Sequence, residues 1–180
     1  MNALILNGSP RREGNTAFVC ETLNDLLPKK FEGVTVSVQE LQSMTIAPCR
    51  ACDGCKRNGG ICLIRDDGAA LAERVAEAGI LVFATPVYWW GISAQTKLAI
   101  DRMYAKGDAL SAKPKAVYVV ATGADALEEE QYKLINRQFA LICEYLKWDF
   151  KGYCAFSALE KNELRNREGV AAQLQQMLDA

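Results

Sequence analysis

The chain has 180 residues, half of them apolar and 24% charged, with a formal net charge of −1. That length suits one domain, 1–180, with a substantial core, and the balanced charge leaves no basic excess to neutralise nucleic-acid phosphates. The first residues lack a basic, apolar leader and no run reaches the roughly 18 apolar residues of a membrane span, so no membrane partner and a cytoplasmic, thiol-reducing setting are expected.

Ala3 to Leu6 is a short apolar run closed by Asn7-Gly8 and reads as a buried strand. Thr16 to Leu27 reads as a helix that stops near Pro28. Val34 to Leu41 alternates β-branched and polar residues, the pattern of a second strand. An irregular, cysteine-rich stretch follows at about 43–65. Asp66 and Asp67 are placed to cap a helix over Gly68 to Ala78, where acidic side chains suit the N-terminus, and Gly79 ends it. Ile80 to Ala84 is the most apolar strand. Ser93 caps a helix running to about Lys106. Ala116 to Ala121, Leu127 to Leu146, Asp149 to Phe156 and Arg167 to Leu178 then read as strand, helix, strand and helix. Alternation of this kind predicts a parallel sheet with helices on both faces, and five strands fit the flavodoxin-like order 2-1-3-4-5. The fold class expected is therefore α/β, a three-layer sandwich. The acidic run Glu128-Glu129-Glu130 is expected on a solvated helix face.

In such a sheet, ligands bind at the carboxyl ends of the strands where the winding reverses, here between strands one and three. The loop after strand one, Asn7-Gly8-Ser9-Pro10-Arg11-Arg12-Glu13-Gly14-Asn15-Thr16, opens directly into a helix. Its first-turn N–H groups and dipole favour an anion, with Ser9, Asn15 and Thr16 as further donors and Arg11 as a charge. It has neither the lysine of a Walker loop nor the G-x-G-x-x-G spacing. After strand three comes Thr85-Pro86-Val87-Tyr88-Trp89-Trp90-Gly91, whose rings suit a flat aromatic ligand; at least one of Trp89 and Trp90 is expected in the core or a subunit interface. After strand four, Thr122-Gly123-Ala124-Asp125 is small enough for a ring system to approach the backbone.

Four of the seven cysteines, Cys49, Cys52, Cys55 and Cys62, follow C-x2-C-x2-C-x6-C. Thiolates so closely spaced suit a small metal site. In ferredoxin runs the last cysteine follows at x3 with a proline and serves a second cluster; here it follows at x6, so one cluster held by all four is the better geometry. Zinc, which usually pairs two C-x2-C units across a longer gap, and free thiols remain as alternatives. Cys20, Cys143 and Cys154 fall in predicted helix, helix and strand and read as core residues. The chain has no histidine, which removes the commonest general acid–base; Tyr88 or solvent is left for any proton transfer.

Asn-Gly-Ser-Pro-Arg…Gly-Asn-Thr, Thr-Pro-Val-Tyr-Trp and Lys97…Asp101-Arg102 together resemble the NADPH-dependent FMN reductase family, and the cysteine block before Asp66-Asp67 is similar to that of its iron–sulfur flavoproteins. The resemblance runs from Ala3 to about Gly123. It implies non-covalent FMN, an FMN-dependent NAD(P)H oxidoreductase and, for the cluster at the four cysteines, the [4Fe–4S] type. Ser9, Arg11, Asn15 and Thr16 would hold the phosphate, Pro86, Val87, Tyr88 and Trp89 would line the isoalloxazine, and Thr122 and Gly123 would close its other side. Lys97, Asp101 and Arg102 would serve as a structural ion pair. The donor expected is NAD(P)H or a ferredoxin-type protein, the acceptor a small molecule or a protein, and the assembly a homodimer or homotetramer. A reductase without a cluster and a non-enzymatic flavodoxin-like carrier are the other readings; the weak net charge argues against the carrier, which docks through a strong acidic field.

Overall fold

Apolar side chains alternate along the strands between two opposite faces, and that alternation dictates the architecture. In the computed structural model, which describes residues 1–180, β1 (Asn2–Asn7) sends Leu4 and Leu6 to one core and Ala3 and Ile5 to the other. β3 (Ile80–Tyr88) divides Leu81 and Phe83 from Ile80, Val82 and Ala84, and β5 (Ala116–Gly123) divides Val117, Val119 and Ala121 from Tyr118 and Val120. A strand apolar on both faces must be covered on both. Helices α1 (Asn15–Lys30) and α6 (Val170–Asp179) cover one face through Val19, Leu23, Leu174 and Leu178. Helices α2 (Asp67–Glu77), α3 (Ala94–Arg102), α4 (Gly107–Ala112) and α5 (Glu130–Leu146) cover the other through Leu71, Ala99, Leu110 and Phe139.

With β2 (Thr35–Glu40) and β6 (Asp149–Ser157), the long strands are all parallel and lie in the order β2-β1-β3-β5-β6. This is the flavodoxin-like 2-1-3-4-5 order. A short antiparallel strand, β4 (Gly91–Ile92), folds back on the end of β3.

Several boundaries differ from the sequence expectation. Pro28 lies inside α1, which runs on to Lys30. At the last turn the proline forfeits only one hydrogen bond, and the Phe31 N–H still reaches the Leu27 carbonyl at 2.9 Å. The helix expected to reach Lys106 ends as α3 at Arg102, tightens into a 3₁₀ turn over Met103–Lys106 and resumes as α4. Helix α5 begins at Glu130 rather than Leu127, because residues 126–129 form a turn closed by the Glu129 N–H on the Ala126 carbonyl. Cys20, Cys143 and Cys154 are buried, as expected, and burial pushes the latter two thiols up to about 12.

Lys115 is a cation at 2% exposure beneath the C-terminus of α2. Its Nζ donates to the carbonyls of Ala76 and Ala78 at 2.8 and 2.6 Å, satisfying helix-end acceptors that would otherwise be orphaned. Burial, with a smaller contribution from Lys113, pulls its pKa down to about 8 from the usual 10.5. The unfolded chain therefore holds this proton more tightly than the folded one, and stability should rise as pH climbs from about 8 towards 10.5. Chemical denaturation at pH 7.5 and 9.5 checks this: Lys115→Met should lose the part of the upward slope that the wild type shows, and identical slopes would contradict the assignment.

Candidate functional site

The loops at the carboxyl ends of β1, β3 and β5 meet at one cavity of about 170 Å³. Its wall includes Ser9, Arg11, Asn15, Thr16, Pro86, Val87, Tyr88, Thr122 and Gly123. Trp89 does not line it. No carboxylate lines it either, so Arg11 faces the space without a local counter-charge. Gly14 and Ala124, from the loops singled out in the sequence, and Ala158 and Leu159, which were not anticipated, complete the wall. Ala158 and Leu159 follow β6, the strand beside β5, so extending the carboxyl-edge rule by one strand would have found them.

Each side of the cavity is fixed by buried polar contacts. Asn7 accepts from the Ser9 N–H at 3.0 Å, and Ser9 Oγ accepts from the Arg11 N–H at 3.1 Å, which bends the first loop back on itself. A β-carbon at Gly8 would fall 1.9 Å from the Thr96 hydroxyl, so only glycine passes there. Ser93 caps α3 by accepting from the Thr96 N–H, and its hydroxyl donates to the Gly8 carbonyl at 2.7 Å. Its own N–H donates to Thr85 Oγ1 at 3.0 Å. This knot ties the loop after β1 to the end of β3 and to the start of α3. Across the cavity, the hydroxyls of Thr16 and Thr122 lie 2.7 Å apart.

Helix α1 opens at Gly14 with no side-chain cap. Its first-turn N–H groups have no partner within the helix. Asn15, expected as an anion donor through its side chain, is otherwise engaged: Nδ2 donates to the Glu160 carbonyl at 2.9 Å and Oδ1 accepts from the Leu164 N–H at 3.0 Å. It pins the segment after β6 beside the cavity, which leaves only its main chain to meet a ligand there.

At the rim, Tyr88 and Gly91 pair across a two-residue turn, with φ of 47° at Trp89 and 60° at Trp90. Two-residue hairpins favour such a left-handed turn but normally with Asn and Gly. Two tryptophans there strain the backbone and stand 91% and 62% exposed, so of the two places expected for at least one of them, the core or a subunit interface, the core is excluded.

The cysteine segment lies against the far end of α3. Cys49 and Cys52 are exposed, Cys62 is half-buried and Cys55 is buried, and all four wall one small cavity. No three Cys, Asp or Glu side chains converge as a single metal ion would require. At the base of the loop, Thr45 and Asp67 exchange hydrogen bonds of 2.7 and 3.1 Å, and Asp66 accepts from the Ala47 N–H at 2.8 Å. Asp66 also caps α2 through the Gly68 N–H. Arg102, 2% exposed, reaches into this base and pairs with Asp66 at 2.6 Å. The ion-pair role expected of Arg102 is met, with Asp66 as its partner; Lys97 and Asp101 form a separate, exposed pair at 2.5 Å. Burial alone would raise the Asp66 carboxyl, but the hydrogen bonds from Arg102, Ala47 and Gly68 hold it below its usual value.

A family model for NADPH-dependent FMN reductases matches residues 1–141. A Bacillus subtilis protein named provisionally as an NAD(P)H-dependent FMN-containing oxidoreductase is 32% identical over 160 residues, covering 85% of this chain and 83% of its own length. An iron–sulfur flavoprotein of Methanocaldococcus jannaschii is 34% identical over 125 residues, covering 69% of this chain but 63%, less than two thirds, of its own length. Among solved structures, a Trp repressor binding protein from Bacillus subtilis superposes with a TM-score of 0.70 at 24% identity, covering 98% of this chain and 99% of its own, and shares the fold.

The strained turn carries a prediction. Trp90→Gly should raise stability by about 1 kcal/mol, because glycine adopts positive φ without the cost that an L side chain bears there. Denaturation in urea measures it; an unchanged or lowered midpoint would show that the indole contributes packing that outweighs the strain.

Proposed function

The chain belongs to the NADPH-dependent FMN reductase family, and we propose that FMN occupies the cavity between the β1, β3 and β5 loops. The observation that carries this reading is an uncapped helix N-terminus beside Arg11 in a wall without carboxylates. An anionic phosphate satisfies the orphaned N–H groups and the arginine together. Ser9 shapes the loop beneath it, and Thr16 can donate towards it while bonded to Thr122. Pro86, Val87, Tyr88 and Gly123 give the apolar, close-approach surface that a flat ring needs. When bound, the flavin supplies hydride and electron chemistry with NAD(P)H. The residues of the chain bind and orient it; with no histidine present, protons are exchanged through the Tyr88 hydroxyl or solvent. The acceptor is a small molecule or protein reaching the open rim beside Trp89 and Trp90.

We further propose that Cys49, Cys52, Cys55 and Cys62 hold a [4Fe–4S] cluster. Such a cluster binds each thiolate to a different iron. What supports this reading is that the four cysteines wall one cavity, as thiols serving a single site would. Zinc usually pairs two C-x2-C units across a longer gap, which the C-x2-C-x2-C-x6-C spacing fits less well. A reading without a cluster is favoured by one fact: the Bacillus subtilis relative, matched over more of its length than the iron–sulfur flavoprotein, carries no iron–sulfur designation in its name.

Arg11→Ala should weaken FMN binding about tenfold, the loss of one charge-assisted contact, as read by flavin fluorescence titration; an unchanged Kd would move the phosphate elsewhere. Protein made and purified without oxygen should carry about four iron and four sulfide per chain. Flavin without iron under those conditions would leave the reductase reading standing and remove the cluster.

A further inference from the structure

We infer that Arg102 is the positioning residue of the cysteine site, holding the four thiols around their cavity before any metal enters. This rests on the cluster reading for its purpose but not for its geometry. Arg102 sits at the last position of α3, outside the cysteine segment, yet all the hydrogen-bond partners of its guanidinium belong to that segment or its base. Nη1 donates to the Ala47 carbonyl at 2.9 Å and to Asp66 Oδ2 at 2.6 Å. Nη2 donates to Cys62 Sγ at 3.4 Å and to the Ile64 carbonyl at 3.4 Å. One side chain thus grips the chain just before Cys49 and again at and just after Cys62. It closes the loop that contains all four thiols.

Only arginine can do this. Its donors are spread over a rigid planar fork, whereas a lysine ammonium is a single point that cannot reach acceptors on both strands of the loop base. Space for the fork is reserved in the sequence: a β-carbon at Gly68 would stand 2.9 Å from the guanidinium carbon and Nη1. Asp66 balances the buried charge and is itself held by the Ala47 and Gly68 N–H groups. The loop therefore depends on a buried, fully partnered charge rather than on an internal core. Within the loop, Ala51 and Asp53 on either side of Cys52 take left-handed conformations, with φ of 49° and 51°. Backbone of this kind persists only when its surroundings impose it.

A second consequence follows for a loaded site. Nη2 donates to a sulfur that would be a cluster ligand, and hydrogen bonds to ligand sulfurs favour the more reduced, more negative state of the cluster. Removing that donor should move the midpoint potential to more negative values.

Hydrogen exchange on metal-free protein reads the positioning role alone. In Arg102→Lys, amides of residues 47–66 should exchange at least tenfold faster than in the wild type, while those of β1, β3 and β5 stay protected. Loop exchange within a factor of two of the wild type would overturn the proposal. Asp66→Asn, which keeps the cap on α2, is the second variant and decides by the same criterion if Arg102→Lys does not fold. Reconstitution with iron and sulfide then reads the two ideas separately. Failure of the wild type to take up iron sinks the cluster reading and leaves the exchange result to judge Arg102. Uptake by the wild type, with a lower yield and a more negative midpoint potential in Arg102→Lys, supports both. An unchanged potential in the variant would overturn the contact between Arg102 and the ligand sulfur.

Discussion

The buried pair between Arg102 and Asp66 is the constraint through which an irregular loop becomes part of the folded frame. Isolated, a buried guanidinium would be prohibitively costly. Here it is matched by one carboxylate, two carbonyls and a thiol, and Asp66 is matched in turn by main-chain N–H groups. Removing either partner would strand the other, so the loop's conformation is tied to the integrity of α3. The opposite end of α3 is equally committed. Ser93 caps it and simultaneously holds Gly8 and Thr85 beside the cavity proposed for the flavin. The helix spans nine residues, a rise of about 14 Å. One short rod therefore sets the spacing between the two proposed redox sites.

The proposed flavin pocket has a different physical origin. The sheet buries both of its faces, so its polar, adaptable surface lies at the strand ends. At the reversal of winding between β1 and β3 the loops part, and α1 begins there without a cap. The main-chain donors left open would be a defect in an ordinary helix. Beside Arg11 they form the binding site we propose, since a ligand in the cavity can satisfy them there.

Much of this was legible in the sequence because period-two apolar runs and helix-length amphipathic stretches report directly on the sheet and its covering layers. The order of the long strands and the burial of Cys20, Cys143 and Cys154 follow from such patterns, whereas the residues from Ser9 to Gly123 that wall the cavity are picked out by the chemistry of the strand-end loops and by the resemblance to the flavin reductase family. What escaped was set by contacts between distant segments. Nothing near Asn15 in sequence says that its side chain is committed to Glu160 and Leu164. The Trp89-Trp90 turn lacks the Asn-Gly signature of its class, so the hairpin was invisible and the exposure of both indoles with it. The motif containing Lys97, Asp101 and Arg102 suggested an ion pair, but the partner, Asp66, lies 36 positions away. Helix ends also shifted, at Pro28 and after Arg102, where tertiary packing overrode local preference.

The account as a whole holds that one frame carries two electron-accepting centres, a flavin at the sheet edge and a cluster beneath the loop clamped by Arg102. A reductive titration of anaerobically purified protein tests it most directly, with flavin content measured on the same sample. The account predicts that each chain takes up one electron more than its flavin accounts for, with bleaching of a broad absorbance that flavin lacks. Uptake matching the flavin alone would contradict it.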